Sequence, residues 1–147
     1  DMLLAGELAA AIGVDLKHPD VRPLIPNALE AGLAALRARG HYPINHLIVI
    51  KDELLARHPD LAADVFDAFV AAKKRYLARL DAIKKPTEVD TLHKRVREIT
   101  GDPLPHGIAP NRKVIETLIG HAMIQGIIAR PVAVEDLFAP TTGDLVG

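Results

Sequence analysis

Gly40-His41-Tyr42-Pro43-Ile44-Asn45-His46-Leu47-Ile48-Val49-Ile50-Lys51 decides how this chain is read. Gly40 and Pro43 are turn formers. Residues 44–50 are apolar and β-branched towards their far end, the pattern of a strand buried on both faces in a covered sheet. Asp52 then caps a short helix over 53–57. In an α/β protein, a strand end next to a helix is where polar groups enter a ligand cleft. Tyr42, Asn45 and His46 are therefore candidates for proton chemistry. The competing reading is a half-buried His46 with one satisfied hydrogen bond, and an Asn45 that only completes the turn. Strand alternation also sends Asn45 and His46 to opposite faces, so one ligand meets both only where the strand end twists.

Upstream, residues 8–14 form a short apolar run ended by Asp15, read as a second buried strand. Met2, Leu3, Leu4 and Leu8 suggest an amphipathic helix before it, with Asp1 as a possible cap. A proline-rich connection leads to Asn27, which caps a helix running to Arg39 and stopping at Gly40.

Downstream, His58-Pro59-Asp60 is a break, and Asp60 caps the strongest helix, over 61–80. Its expected inner stripe is Leu61, Val65, Phe69, Ala72, Tyr76 and Leu80, with Phe66 alongside. Lys73-Lys74-Arg75 reads as a solvated face. Thr87 and Asp90 resemble a capping box for a helix ending at Gly101. A loop with three prolines follows, and Pro110 or Asn111 opens the last long helix. That helix turns Val114, Ile115, Leu118, Ile119, Ala122 and Met123 inward and ends at Gly126. Residues 134–138 add one more turn. The expectation is two strands and about six helices. Two strands alone make no stable sheet, so the reading expects a fragment whose other strands lie in a preceding portion or in another copy of the chain.

Composition narrows the function classes. The 147 residues suffice for one core, and 49% apolar with 25% charged residues argues against disorder. A net charge of −1 gives no electrostatic reason for nucleic acid or an anionic membrane, and without Trp there is no evident base-stacking platform. No apolar run reaches the roughly 18 residues of a membrane span. The absence of cysteine removes disulfide and thiolate chemistry and fits a cytoplasmic protein.

A second chemical candidate is Asn111-Arg112-Lys113 at a helix start, where free N–H groups and a bidentate guanidinium suit a carboxylate. The competing reading is an Asn cap with two solvated bases. Arg22, between prolines, is either a further carboxylate contact or a surface arginine. His18, His58, His93 and His121 lack the spacing of a zinc helix, so no metal site is expected. There is no Gly-rich phosphate loop, nucleophile elbow or dinucleotide fingerprint.

Together these segments resemble the C-terminal half of the 4,5-dihydroxyphthalate decarboxylase family, within the type II periplasmic-binding-protein-like superfamily. The matching stretches begin with Leu3-Leu-Ala-Gly-Glu-Leu-Ala-Ala-Ala-Ile-Gly13 and His18-Pro-Asp-Val-Arg-Pro-Leu-Ile-Pro-Asn-Ala28. They continue with His41-Tyr-Pro-Ile-Asn-His46, Lys51-Asp-Glu-Leu-Leu55 and His58-Pro59. Asp102-Pro-Leu-Pro-His-Gly-Ile-Ala-Pro-Asn-Arg112 and Arg130-Pro-Val-Ala-Val-Glu-Asp-Leu-Phe-Ala-Pro140 complete them. The resemblance covers nearly the whole chain; Tyr-Pro-Ile-Asn-His and Pro-Asn-Arg are its most specific parts. Ala9 stands where the pattern has Asp, and His106 where it has Tyr. Neither departure touches the fold; both bear on which aromatic acid is the substrate.

The resemblance implies an α/β fold, the helix-rich, strand-poor C-terminal part of a two-lobed protein whose ligand sits between the lobes. Residues 1–43 would close the second lobe; residues 44–147 would supply a crossing strand and helices packing on the first. It implies cofactor-free decarboxylation of 4,5-dihydroxyphthalate to 3,4-dihydroxybenzoate in aromatic degradation. The roles follow as expectations: His46 as proton donor or phenol partner, Tyr42 and Asn45 as orienting groups, Arg112 or Arg22 as carboxylate clamp, with Asn111 beside it. The partner would be a small aromatic carboxylate, with no nucleic acid and no membrane, and the chain is expected to form a homo-oligomer. The alternative is a solute-binding protein of an ABC transporter, periplasmic and without turnover, holding a small organic anion in the same cleft. A third reading is an inactive fragment that completes its sheet by a swapped assembly.

Overall fold

A computed structural model describes residues 2–44 and 46–147. The chain is helix-rich. It forms α1 (Ala28–Arg39), α2 (Asp52–Arg57), α3 (Leu61–Arg79), α4 (Glu88–Thr100) and α5 (Ile108–Ile124). Short 3-10 turns cover Leu80–Ala82, Glu135–Leu137 and Pro140–Thr142. Among the described residues the only β pairing is a single antiparallel bridge, Gly107 with Val146.

Both expected strands are corrected. Residues 8–14 are irregular, and Leu8, Ile12 and Val14 are exposed rather than buried. Residues 46–50 carry no strand pairing, and Leu47, Ile48 and Val49 face solvent. A strand is stable only where a neighbour meets its backbone donors and acceptors, and neither run is paired with any described segment. Residues 2–6 form turns in place of the expected helix, and Asp1 lies outside the described residues.

The helix boundaries follow local signals closely. α1 ends at Gly40, whose N–H donates to Leu36 O. Asn27 precedes α1 with φ 48° and gives no side-chain cap. Asp52 is the first residue of α2, whose cap position is Lys51, and Asp60 makes no side-chain cap for α3. α4 has the expected capping box: Asp90 N donates to Thr87 Oγ1 at 3.1 Å and Thr87 N to Asp90 Oδ2 at 2.8 Å. Two orphan donors are thereby met at once, so Thr87→Ala is expected to cost about 1 kcal/mol. Chemical denaturation checks this, and an unchanged midpoint would count against the box as a stabilising element.

The register of α3 differs from expectation. Ala62, Val70, Lys73 and Leu80 are buried, while Phe69 is 48% exposed. The inward face is one residue on from the expected stripe, a rotation of about 100°, and Leu80 closes both. On α5 the inward face is shorter than expected: Ile115 is buried, whereas Leu118 is 63% exposed.

Two apolar clusters result. Leu33 and Leu36 of α1 meet Val96 of α4, with Tyr42, Leu92 and Ile99 around them. Ile108 and Ile115 of α5 meet Val134, with Ile44, Ile119 and Phe138 around them. Arg95 grips Glu30 bidentately at 2.6 and 2.7 Å, fixing α4 on α1. Tyr76 ties α3 to α4, its hydroxyl 2.8 Å from Asp90 Oδ1 and 2.9 Å from His93 Nδ1. Among the described residues no helix is long and apolar enough to cross a membrane.

Candidate functional site

The segment 41–44 stitches the two clusters together. Tyr42 packs on the α1–α4 cluster and Ile44 on the α5 cluster, as alternate residues of an extended chain do. His41 Nε2 lies 3.3 Å from Thr117 Oγ1 on α5, and Lys113 Nζ donates to Arg39 O, a free carbonyl at the end of α1, at 2.6 Å. Burial pushes the Tyr42 hydroxyl above its ordinary range, and the charge of Asp102 adds to the effect. Tyr42 is thus a protonated phenol at neutral pH, able to donate a hydrogen bond but not to act as a base.

His46 is exposed and forms no hydrogen bond or ion pair among the described residues. It is not the half-buried histidine of the bland reading. Asn45 lies outside the described residues. Arg22 is exposed, with no ionic partner among the described residues.

The Asn111–Lys113 segment is corrected most. α5 opens at Ile108 rather than at Pro110 or Asn111. Residue 112 therefore lies beyond the first four helical positions, where backbone N–H groups are free. Asn111 is buried, and its Nδ2 donates to Pro105 O at 2.9 Å and Gly107 O at 2.8 Å. Its side chain closes the loop into the helix and has no spare donor for a ligand. Arg112 is bonded to Glu135 and lies 3.5 Å from Glu116. These residues, with Ile119, Val132, Ala133 and Val134, line an open pocket of about 290 Å³. A carboxylate entering it would have to displace Glu135 from the guanidinium.

A polar cluster that sequence reading missed lies at the base of the loop into α5. Lys73, expected on a solvated face, is buried, and its Nζ donates to Asp102 Oδ2 at 2.5 Å and Gly147 O at 2.8 Å. Asp102 Oδ1 in turn accepts from Leu104 N at 2.9 Å, shaping the loop. His106 packs edge-on against Phe66. Its Nδ1 is buried and unbonded among the described residues. The signal for Lys73 was present in the sequence: it continues the 3–4 spacing of Ala62, Phe66 and Val70. Nothing local distinguishes that spacing from the neighbouring, more apolar stripe.

Burial holds the His106 imidazole below its ordinary value, helped by the Lys73 charge and opposed by Asp102. Burial also lowers His93, opposed by Asp90. Tyr76 is pushed up to about 12 by burial and by its bond to the Asp90 carboxylate. Asp90, holding the Thr87 and Tyr76 donors, is held below its ordinary range. The Tyr76 proton therefore goes to Asp90, and His93 donates from Nδ1 to the phenol oxygen.

Because both histidines take up protons less readily when folded, the unfolded chain binds more protons around and just below pH 6.5. Their contribution to stability is full above that range and declines as pH falls through it. The melting temperature is expected to drop between about pH 7.5 and about pH 5.5, with His106→Gln shallowing the drop. A flat profile over that interval would contradict the assignment.

No family model, curated protein or solved structure matches the chain. Among the described residues no cluster of His, Asp or Glu suits a metal ion.

Proposed function

We propose that the chain is part of a non-oxidative decarboxylase acting on 4,5-dihydroxyphthalate or a related aromatic acid and yielding 3,4-dihydroxybenzoate. The observation that carries the reading is the Tyr42-Pro43-Ile44-Asn45-His46 stretch. Its resemblance to the decarboxylase family is joined by an anchored Tyr42 and an imidazole left open to solvent. In this reading the substrate lies beside the start of the exposed run 47–49.

The chemistry needs few groups. The hydroxyl para to the departing carboxylate pushes electron density onto the ring carbon, which takes a proton from His46. The bond to the carboxylate then breaks, its electron pair restores the aromatic ring, and carbon dioxide leaves. Tyr42 and Asn45 orient the ring. Arg22 or Arg112 holds the retained carboxylate, Arg22 directly and Arg112 only after parting from Glu135.

The test is carbon dioxide release from 4,5-dihydroxyphthalate, beside a binding titration with the same compound. Turnover that falls at least a hundredfold in His46→Ala is the expected result. Wild-type kcat in that variant would remove His46 from the mechanism. Tight binding without turnover would favour the solute-binding class, and neither binding nor turnover would end this substrate assignment.

A further inference from the structure

Residues 46–50 carry neither helix nor turn, and among the described residues their backbone N–H and C=O groups make no hydrogen bond. Leu47 and Ile48 are each 60% exposed and Val49 is 91% exposed. The run holds no Pro, Gly, Asp, Glu, Lys or Arg, the residues that ordinarily keep an edge from pairing. It is bounded on both sides, since Ile44 packs on the α5 cluster and α2 begins at Asp52. Ile48 is therefore the centre of the free edge.

The other apolar run offers this edge no partner within the chain. Residues 8–14 are broken at Gly13, whose φ of 72° turns the backbone out of an extended path. Against a second copy of itself the edge fits. Set antiparallel about Ile48, two runs place Ile48 opposite Ile48, Leu47 opposite Val49 and His46 opposite Ile50, so no like charges meet. Set parallel, they bring Lys51 beside Lys51 and His46 beside His46. There is also surface to cover. The chain exposes 11353 Å², whereas a compact monomer of its 15.9 kDa exposes about 7,400 Å². The excess is several times the ~800 Å² that each partner contributes to a standard interface.

We propose that two copies of the chain associate through residues 46–50, paired antiparallel about a two-fold axis at Ile48. Each run supplies the backbone partners that the other lacks, and Leu47, Ile48 and Val49 leave water together. The pairing uses a backbone edge and apolar side chains and is independent of the decarboxylase reading.

Sedimentation equilibrium over a concentration series tests this. The mass should rise from 15.9 kDa to twice that value and no further. A micromolar Kd is expected, because a two-stranded ribbon is weak by itself. Ile48→Lys and Ile48→Glu each set like charges opposite one another. Each should weaken association at least tenfold with unchanged helical circular dichroism, and an equimolar mixture of the two should recover it. Because the chain has no cysteine, Ile48→Cys supplies a single thiol per copy. That variant should oxidise to a covalent dimer, whereas Ile50→Cys, whose copies lie out of disulfide reach in this register, should not. A mass of 15.9 kDa throughout, growth past the dimer, or association equal in wild type and Ile48→Lys would each overturn the proposal. Equal crosslinking of the two cysteine variants would also overturn it.

Discussion

Gly107→Ala should destabilise the fold by about 3 kcal/mol, combining backbone strain with overpacking. Gly107 stands at the cap position of α5 with φ 104° and ψ 165°, a region essentially closed to residues bearing a Cβ. The added methyl would also lie 2.2 Å from Leu145 O, a backbone atom with no rotamer to escape into. Either the loop changes its dihedrals and the Gly107 carbonyl leaves Asn111, or residues 145–146 are pushed away and the Val146 bridge is lost. Urea denaturation measures the effect. A loss below about 0.5 kcal/mol, typical of an uneventful surface change, would show that this close approach is not part of the stable fold.

Leu80→Ala should cost about 2–4 kcal/mol, whereas Phe69→Ala should cost under about 1 kcal/mol. Leu80 is wholly buried where α3 runs into its terminal turn, and that turn packs against α4. Truncation there loses apolar burial and leaves a cavity. Phe69 is the larger side chain and sat on the more apolar stripe by sequence, yet it is half exposed. The pair therefore distinguishes the two registers of α3. Equal costs for the two variants would return Phe69 to the core and overturn the observed register.

Most helix ends were readable. Gly40 and Gly101 stop α1 and α4, Asp60 precedes α3, and Thr87 with Asp90 opens α4. The start of α5 was not, because Pro110 and Asn111 both suit a first turn and the choice of Ile108 rests on Asn111 reaching back to Pro105 and Gly107. Tyr42, singled out from its place between a turn and an apolar run, packs on the α1–α4 cluster. Lys73, Asp102 and His106 were missed, since their association spans 29 residues for the first pair and shows in no local pattern. Arg112 was recognised as a cation at a helix start, but Glu135, which occupies it, comes from a turn 23 residues away.

The sequence alone determined most helix ends and that the chain is helix-rich. Caps, turn residues and prolines act on backbone groups within four residues of themselves. Tertiary structure decided which face of α3 turned inward, what neutralised Arg112, and whether two apolar runs became strands. Each of these depends on what a distant segment offers as a packing surface, counter-charge or hydrogen-bonding edge. The run 47–49 finds no such edge among the described residues, and its β-branched side chains remain exposed.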